Sequence, residues 1–189
     1  MRNSTVRNMT QTALFASLIA IGAFIKLPLG PVPVTMQTFF VLLSGYTLGA
    51  SKGALSVIIY ILLGLFGLPV FAEGGGISYL LKPTFGFLIG FIPCSALTGF
   101  FSEKIRPLNK KLLAFSGIIG IFIVYLTGAV YCIAVSRYVL DLPVSLGSLI
   151  TNSLLITLPV DLLSVVIASL LSIRVKSALG HSRRPSPAF

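Results

Sequence analysis

Charged side chains are scarce in this chain: they make up 10% of its 189 residues, whereas hydrophobic residues make up 56%. The mean hydropathy is +1.02. A water-soluble domain of this size could not bury so much apolar surface. The composition therefore excludes an ordinary soluble protein and predicts an integral membrane protein. Because the chain is too short for two domains of typical size, we expect residues 1–189 to form a single membrane domain.

The sequence signatures of common catalytic and energy-coupling sites are also missing. No glycine is followed by lysine, which excludes a P-loop ATPase, and no H-E-x-x-H is present. The single histidine, His181, lies in the C-terminal tail, away from the apolar segments where an intramembrane protease would need a base. Acidic residues do not repeat through several apolar segments, which argues against an ion-coupled antiporter. An enzyme is therefore the least supported class, and we expect neither a cofactor nor a metal site.

Six apolar segments predict an all-α protein with six transmembrane helices, at residues 10–27, 34–50, 54–68, 85–101, 112–136 and 148–173. The basic residues fall mostly on the side of both termini. Of the 14 lysines and arginines, only Lys26, Lys82 and Arg137 fall on the opposite side. The positive-inside rule therefore places both termini in the cytoplasm. Since membrane topology explains the excess of lysine and arginine over acidic residues, nucleic acid is not an expected partner.

The stretch Gly67–Gly90 interrupts the apolar pattern between the third and fourth segments. Two prolines and three consecutive glycines oppose a continuous helix here, yet apolar side chains persist among them. Irregular backbone beside a membrane persists where it is buried in protein or lines a cavity. A short span that leads into such a broken segment also points to a transporter site. We interpret the stretch as the lid or wall of a small-molecule site. The alternative interpretation is a structured loop that only connects the two segments.

Asp161 is the one acidic residue inside a predicted span. A carboxylate near a helix centre costs about 2.5–3.5 kcal/mol on insertion scales, so it usually faces a cavity or a partner. Helical spacing places three further polar residues on the same face, namely Ser153, Thr157 and Ser164. We expect Asp161 to accept hydrogen bonds from ligand N–H groups. The alternative is a buried bond between helices, to Gln37, Tyr46 or Tyr125.

Two charges flank the glycines of the long loop, Glu73 and Lys82. They either pair with each other, or Lys82 meets a ligand carboxylate while Glu73 meets a polar ring. The glycines allow a close approach of backbone to ligand. They are Gly74, Gly75 and Gly76.

Three further side chains and one small-residue pair complete the candidates. Tyr79 and Phe85 can pack against an apolar ligand, although isolated aromatics are more often core residues. Gln37 can bond either a ligand or the loop backbone. Ala16 and Ala20 form a small-xxx-small pair, for which spacing alone favours packing within the bundle.

Four stretches together resemble the BioY family: PVPVTMQTF, LLSGYTLGASKGALSVIIYILLGLFGLPVFAEGGG, KPTFGFLIGF and PVDLL. BioY proteins are the biotin-binding S components of energy-coupling factor (ECF) transporters, and the resemblance covers roughly residues 13–171. It implies a six-helix S-component fold that binds biotin from outside. It implies partnership with a transmembrane coupling subunit and two cytoplasmic ATPases, whose ATP hydrolysis topples the S component to release biotin inward. It also implies that Ala16 and Ala20 touch the coupling subunit.

Biotin suits the candidate residues. Asp161 can accept from its ureido ring, and Tyr79 and Phe85 suit its thioether ring and chain. The family usually has a lysine three residues after the last-helix aspartate, where this chain has Ser164, so Lys82 is the candidate cation for the biotin carboxylate. Two other readings stay open: an S component for another vitamin, and a stand-alone channel or secondary transporter.

Overall fold

A computed structural model describes residues 2–27, 33–105, 109–140 and 155–178, which form six α-helices and one pair of short strands. The strands β1 (Lys26–Leu27) and β2 (Val34–Thr35) pair in antiparallel register between the first two helices. A short 3₁₀ helix, Ile77–Leu81, lies between the third and fourth helices. The helices are α1 (Arg2–Phe24), α2 (Gln37–Leu48), α3 (Ala50–Leu65), α4 (Phe85–Lys104), α5 (Lys110–Tyr138) and α6 (Leu155–Ala178).

The helices follow the six predicted segments in order, and the predicted helical architecture is confirmed. Within the described residues, three helical stretches are long and apolar enough to cross a membrane: α4, α5 and Thr157–Lys176 of α6. Helix α3 is equally apolar but has only 16 residues. The exact six membrane spans stay a prediction, and residues 148–154 of the sixth lie outside the described part of the chain.

The boundary between the second and third segments differs from the prediction. Helix α3 begins at Ala50 rather than at residue 54, because a single residue, Gly49, separates it from α2. Gly49 has φ of +88°, a left-handed conformation that favours glycine and turns the chain at once. Lys52 lies within the first turn of α3, where its ammonium donates to Asn8 Oδ1 at 2.9 Å.

Helix α2 lies at the centre of the bundle and contacts α1, α3, α4 and α6. Every residue of α2 except Phe40 is buried. A side chain at Gly45 would overlap the Thr98 hydroxyl and the Ser95 carbonyl oxygen, so α2 and α4 meet almost backbone to backbone. The core therefore forms around α2, and the cavity described below lies at the helix's N-terminal end.

Hydrogen bonds to main-chain carbonyls join the helices at the end of the bundle that contains Lys52. The Tyr46 hydroxyl donates to the Leu113 carbonyl at 2.7 Å, and the Ser102 hydroxyl donates to the Tyr46 carbonyl at 2.7 Å. Lys176 Nζ then donates to the Ser102 carbonyl at 3.1 Å. These bonds satisfy buried polar groups and link α2 to α4, α5 and α6.

Candidate functional site

Residues 66–84, between α3 and α4, form an ordered loop that we call the lid loop. Among the described residues, three side chains from outside this loop donate to its main-chain carbonyls. Lys26 Nζ donates to Ala72 at 2.5 Å, the Tyr60 hydroxyl to Val70 at 3.3 Å and the Tyr131 hydroxyl to Leu80 at 2.5 Å. The loop is therefore attached to the strand pair, to α3 and to α5.

The glycine run fits the lid loop against the end of α3. Gly74 and Gly76 have φ of +112° and +100°, which glycine adopts without strain. A Cβ at Gly75 would overlap the Leu68 carbonyl oxygen, and the Gly76 N–H donates to the Gly64 carbonyl at 2.7 Å. Among the described residues, none of the three glycines lines the cavity beneath the loop. Their role as ligand contacts stays a prediction.

A cavity of about 70 Å³ lies beneath the lid loop, between β2, α2, α4, α5 and α6. One wall is apolar and aromatic, formed mainly by Phe87, Leu88, Phe91 and Val124. Polar groups face it from several elements, namely Thr35, Gln37, Thr38, Tyr79, Thr84, Tyr125, Thr157 and Asp161. An apolar wall with a few convergent polar groups is typical of a small-molecule site.

Asp161 lines this cavity, and the residue is 9% exposed. Its Oδ2 accepts a hydrogen bond of 2.5 Å from the Tyr125 hydroxyl, which also lies 2.6 Å from Thr157 Oγ1. The Thr38 hydroxyl faces the same carboxylate from α2. The bond between helices, which was the alternative interpretation of Asp161, is therefore present. Because Asp161 also lines the cavity, its contact with ligand N–H groups stays a prediction.

Gln37 lines the cavity at the start of α2 and is held from two sides. Its Nε2 donates to the Tyr60 hydroxyl oxygen at 2.6 Å, and its Oε1 accepts from the Thr35 hydroxyl at 3.1 Å. Tyr60 in turn donates to the Val70 carbonyl of the lid loop. Gln37 thus supports the loop backbone through Tyr60, and its contact with a ligand stays a prediction.

Glu73 and Lys82 pair with each other across the lid loop, with Lys82 Nζ 2.8 Å from Glu73 Oε2. Both side chains are about 40% exposed (40% and 41%), so the pair contributes little to stability. The Lys82 ammonium also lies 4.9 Å from the ring centroid of Tyr79, which lines the cavity. Burial raises the pKa of the Tyr79 phenol, so this side chain is a neutral hydroxyl beside the cavity.

Phe85 and Ser164 are buried near the cavity but do not line it. The ring of Phe85 packs between those of Tyr79 and Tyr131, at centroid distances of 6.4 and 5.8 Å. The Ser164 hydroxyl donates to the Val160 carbonyl at 2.9 Å within its own helix. Neither side chain reaches the cavity in this structure, and both remain predicted ligand contacts.

The small-residue pair of α1 faces the bundle. Ala16 is 3% exposed within the core, and Ala20 is partly buried against it. The same helix exposes Ala13 and Ser17, also four residues apart. The packing reading of Ala16 thus matches its burial, and its contact with a coupling subunit stays a prediction.

Several cavity residues were not among the sequence candidates. Phe87 and Phe91 lie one turn apart on α4, and Thr84 precedes that helix. The oxygen of the Thr84 hydroxyl is buried and has no hydrogen-bond partner among the described residues. Their spacing of four places Phe87 and Phe91 on one face of α4, but nothing in the sequence marks that face as the one turned toward the cavity.

The fold defines a helical membrane protein that encloses a cavity beneath a lid loop at one end of its bundle. The chain belongs to the BioY family, whose family model matches residues 1–181. It is 39% identical over 172 residues to the biotin transporter BioY of Thermotoga maritima, covering 90% of this chain and 96% of the relative. It is 43% identical over 131 residues to the probable biotin transporter BioY of Lysinibacillus sphaericus, covering 69% and 67%.

A solved structure confirms the fold. The crystal structure of the S-component for biotin from an ECF-type ABC transporter superposes with a TM-score of 0.81 at 28% sequence identity. The match covers 94% of each chain. The predicted S-component fold is therefore correct.

Proposed function

We propose that this protein captures biotin as the substrate-specific S component of an ECF-type transporter. The observation that carries the proposal is the Asp161 carboxylate in a cavity that combines an apolar, aromatic wall with several further polar side chains. Biotin combines a ureido ring, which has two N–H donors, with a thioether ring and an aliphatic chain. The carboxylate matches the ureido donors, and Phe87 and Phe91 match the apolar body. The names of the relatives and of the solved structure support the same ligand.

A transmembrane coupling subunit and two cytoplasmic ATPases complete the proposed transporter. The chain lacks the Gly-Lys pair of a P-loop, so ATP hydrolysis belongs to partner subunits. ATP hydrolysis would topple the S component and release biotin inward, and Ala16 and Ala20 remain the proposed contacts with the coupling subunit.

The experiment that tests the function is calorimetric titration of biotin into the purified protein in detergent, without any partner. We expect tight one-to-one binding. A folded sample that binds another vitamin instead would favour an S component of different specificity. Biotin uptake by cells that lack every coupling subunit and ATPase would favour a stand-alone channel or secondary transporter.

The proposed orientation has both termini in the cytoplasm and the lid loop outside. The charges support it, because Lys52, Lys104, Lys110 and Lys111 lie at the end opposite the lid loop.

Cysteine labelling tests this orientation. We expect Ile77→Cys, at an exposed site of the lid loop, to react with a membrane-impermeant maleimide in intact cells. Lys111→Cys should react only after the membrane is opened. The native thiols of Cys94 and Cys132 are buried and give a low background. The reverse labelling pattern would show the opposite orientation.

Lys82 is the proposed partner of the biotin carboxylate. On binding, this carboxylate would replace Glu73 as the partner of the exposed Lys82 ammonium. We expect Lys82→Ala to weaken biotin binding about threefold to tenfold, as for loss of a partly exposed charged hydrogen bond. Binding of a biotin amide, which lacks the carboxylate, should change less. Glu73→Gln is the matched control, since it frees Lys82 and should leave biotin affinity equal or higher. Equal affinities of Lys82→Ala and wild type for both ligands would exclude this role.

A further inference from the structure

The side chain of Tyr125 joins two functional groups of α6 from the neighbouring helix α5. Thr157 and Asp161 are four residues apart and share a face of α6. The Tyr125 hydroxyl lies 2.6 Å from Thr157 Oγ1 and donates to Asp161 Oδ2 at 2.5 Å. A phenol has one proton, and here it goes to the carboxylate, so at the other contact Thr157 donates to the phenol oxygen. The result is a directed chain of two hydrogen bonds that ends on Asp161.

The ring of Tyr125 is also held in place and shielded. It packs edge-on against Phe87, with ring centroids 6.3 Å apart. One part of the residue lines the cavity beneath the lid loop. Another part lines an entirely apolar groove of about 320 Å³ between α5 and α6, together with Ile121 and Leu158. Tyr125 thus lies between the cavity and an apolar groove, and among the described residues the groove offers no polar group that competes for the bond to Asp161.

We propose that Tyr125 is a positioning residue that fixes the orientation of the Asp161 carboxylate for ligand N–H donors. This inference rests on the proposed function, since it assigns the acceptor that recognises the ureido ring. With Oδ2 bonded to Tyr125, rotation of the carboxyl group is restricted before the ligand arrives. A ligand donor then meets a preoriented acceptor, which lowers the ordering cost of binding.

A double-mutant cycle tests the proposal with biotin as the probe. We expect Tyr125→Phe, which keeps the ring and the partition between cavity and groove, to weaken biotin binding about tenfold. In an Asp161→Asn background the same change should weaken binding less than about twofold, because Tyr125 acts through the carboxylate. Tyr131→Phe is the matched control on α5: its hydroxyl bonds the Leu80 carbonyl, so its effect should be the same in both backgrounds.

Infrared spectroscopy supplies a readout that needs no ligand. The chain has only two aspartates, Asp141 and Asp161, so ¹³C labelling of the aspartate side-chain carboxyl gives one antisymmetric carboxylate stretch from each, and Asp161→Asn identifies the band of Asp161. We expect Tyr125→Phe to shift the Asp161 band and Tyr131→Phe to leave it in place.

The outcomes separate this inference from the proposed function. A loss of affinity for Tyr125→Phe that disappears in the Asp161→Asn background, with a shifted band, supports the positioning role. An affinity equal to wild type, or a loss that persists fully in that background, overturns it. If wild-type protein does not bind biotin, the proposed function is wrong. The infrared band then decides the inference alone, since an unshifted band overturns it and a shifted band supports it.

Discussion

Replacing Asp161 with alanine is expected to weaken biotin binding by about 100-fold or more. The carboxylate is nearly buried, and hydrogen bonds to a charged group contribute about 1.5–3 kcal/mol each, so loss of one or two of them reaches this magnitude. The change also removes the carboxylate that accepts from the Tyr125 hydroxyl and leaves that hydroxyl with its contact to Thr157 Oγ1 at 2.6 Å. Calorimetric titration of the purified variant measures the effect directly.

The control for this variant is Ser169→Ala on the same helix. Ser169 is buried like Asp161, but its hydroxyl donates to the Val166 carbonyl within α6 and does not line the cavity. Its removal should change biotin affinity less than about twofold. An Asp161→Ala protein that is folded and binds biotin like wild type would show that Asp161 only joins α5 to α6.

Replacing Gly75 with valine is expected to displace the lid loop and lower the free energy of unfolding by about 1–3 kcal/mol. The new side chain would overlap the Leu68 carbonyl oxygen, which is main chain and cannot turn aside. Displacement of the loop also disturbs Phe71, whose ring is 1% exposed and packs over Gly64. We therefore expect a lower melting temperature together with weaker biotin binding.

A thiol-reactive dye measures this melting temperature without any introduced cysteine, because the buried thiols of Cys94 and Cys132 react only as the protein unfolds. Ser78→Val is the control, since Ser78 is exposed in the same loop. It should melt like wild type. A Gly75→Val protein with wild-type melting and lost binding would instead indicate that the glycine contacts the ligand directly.

Composition and single residues were sufficient to predict the class of protein and part of its cavity. The apolar excess predicted a helical membrane protein, and the rarity of acids inside the spans singled out Asp161. Gln37 and Tyr79 were found from their places beside a break in the apolar pattern, and both line the cavity. Each of these signals arises because polar groups and irregular backbone are costly near lipid.

Other residues of the cavity could not be predicted because apolar helices carry little information about which face points inward. Phe87 lines the cavity and Phe122 is 66% exposed, yet both lie in uniformly apolar segments. Tyr125 was considered only as an alternative partner for Asp161, since nothing in α5 marks its depth or direction. The start of α3 was placed too late because residues 51–53 were predicted to form the turn, whereas the single residue Gly49 makes it and the bond of Lys52 to Asn8 lets the ammonium lie within a helix.

The three side chains that hold the lid loop all end on main-chain oxygens: Lys26 on Ala72, Tyr60 on Val70 and Tyr131 on Leu80. Every amino acid has such an oxygen, so these bonds place no demand on the identity of the loop residues that accept them. A substitution at one of these positions can therefore change the local packing while leaving the hydrogen bond to the loop backbone in place. The attachment of the loop to the bundle thus depends on Lys26, Tyr60 and Tyr131 and not on the side chains of the residues that they hold.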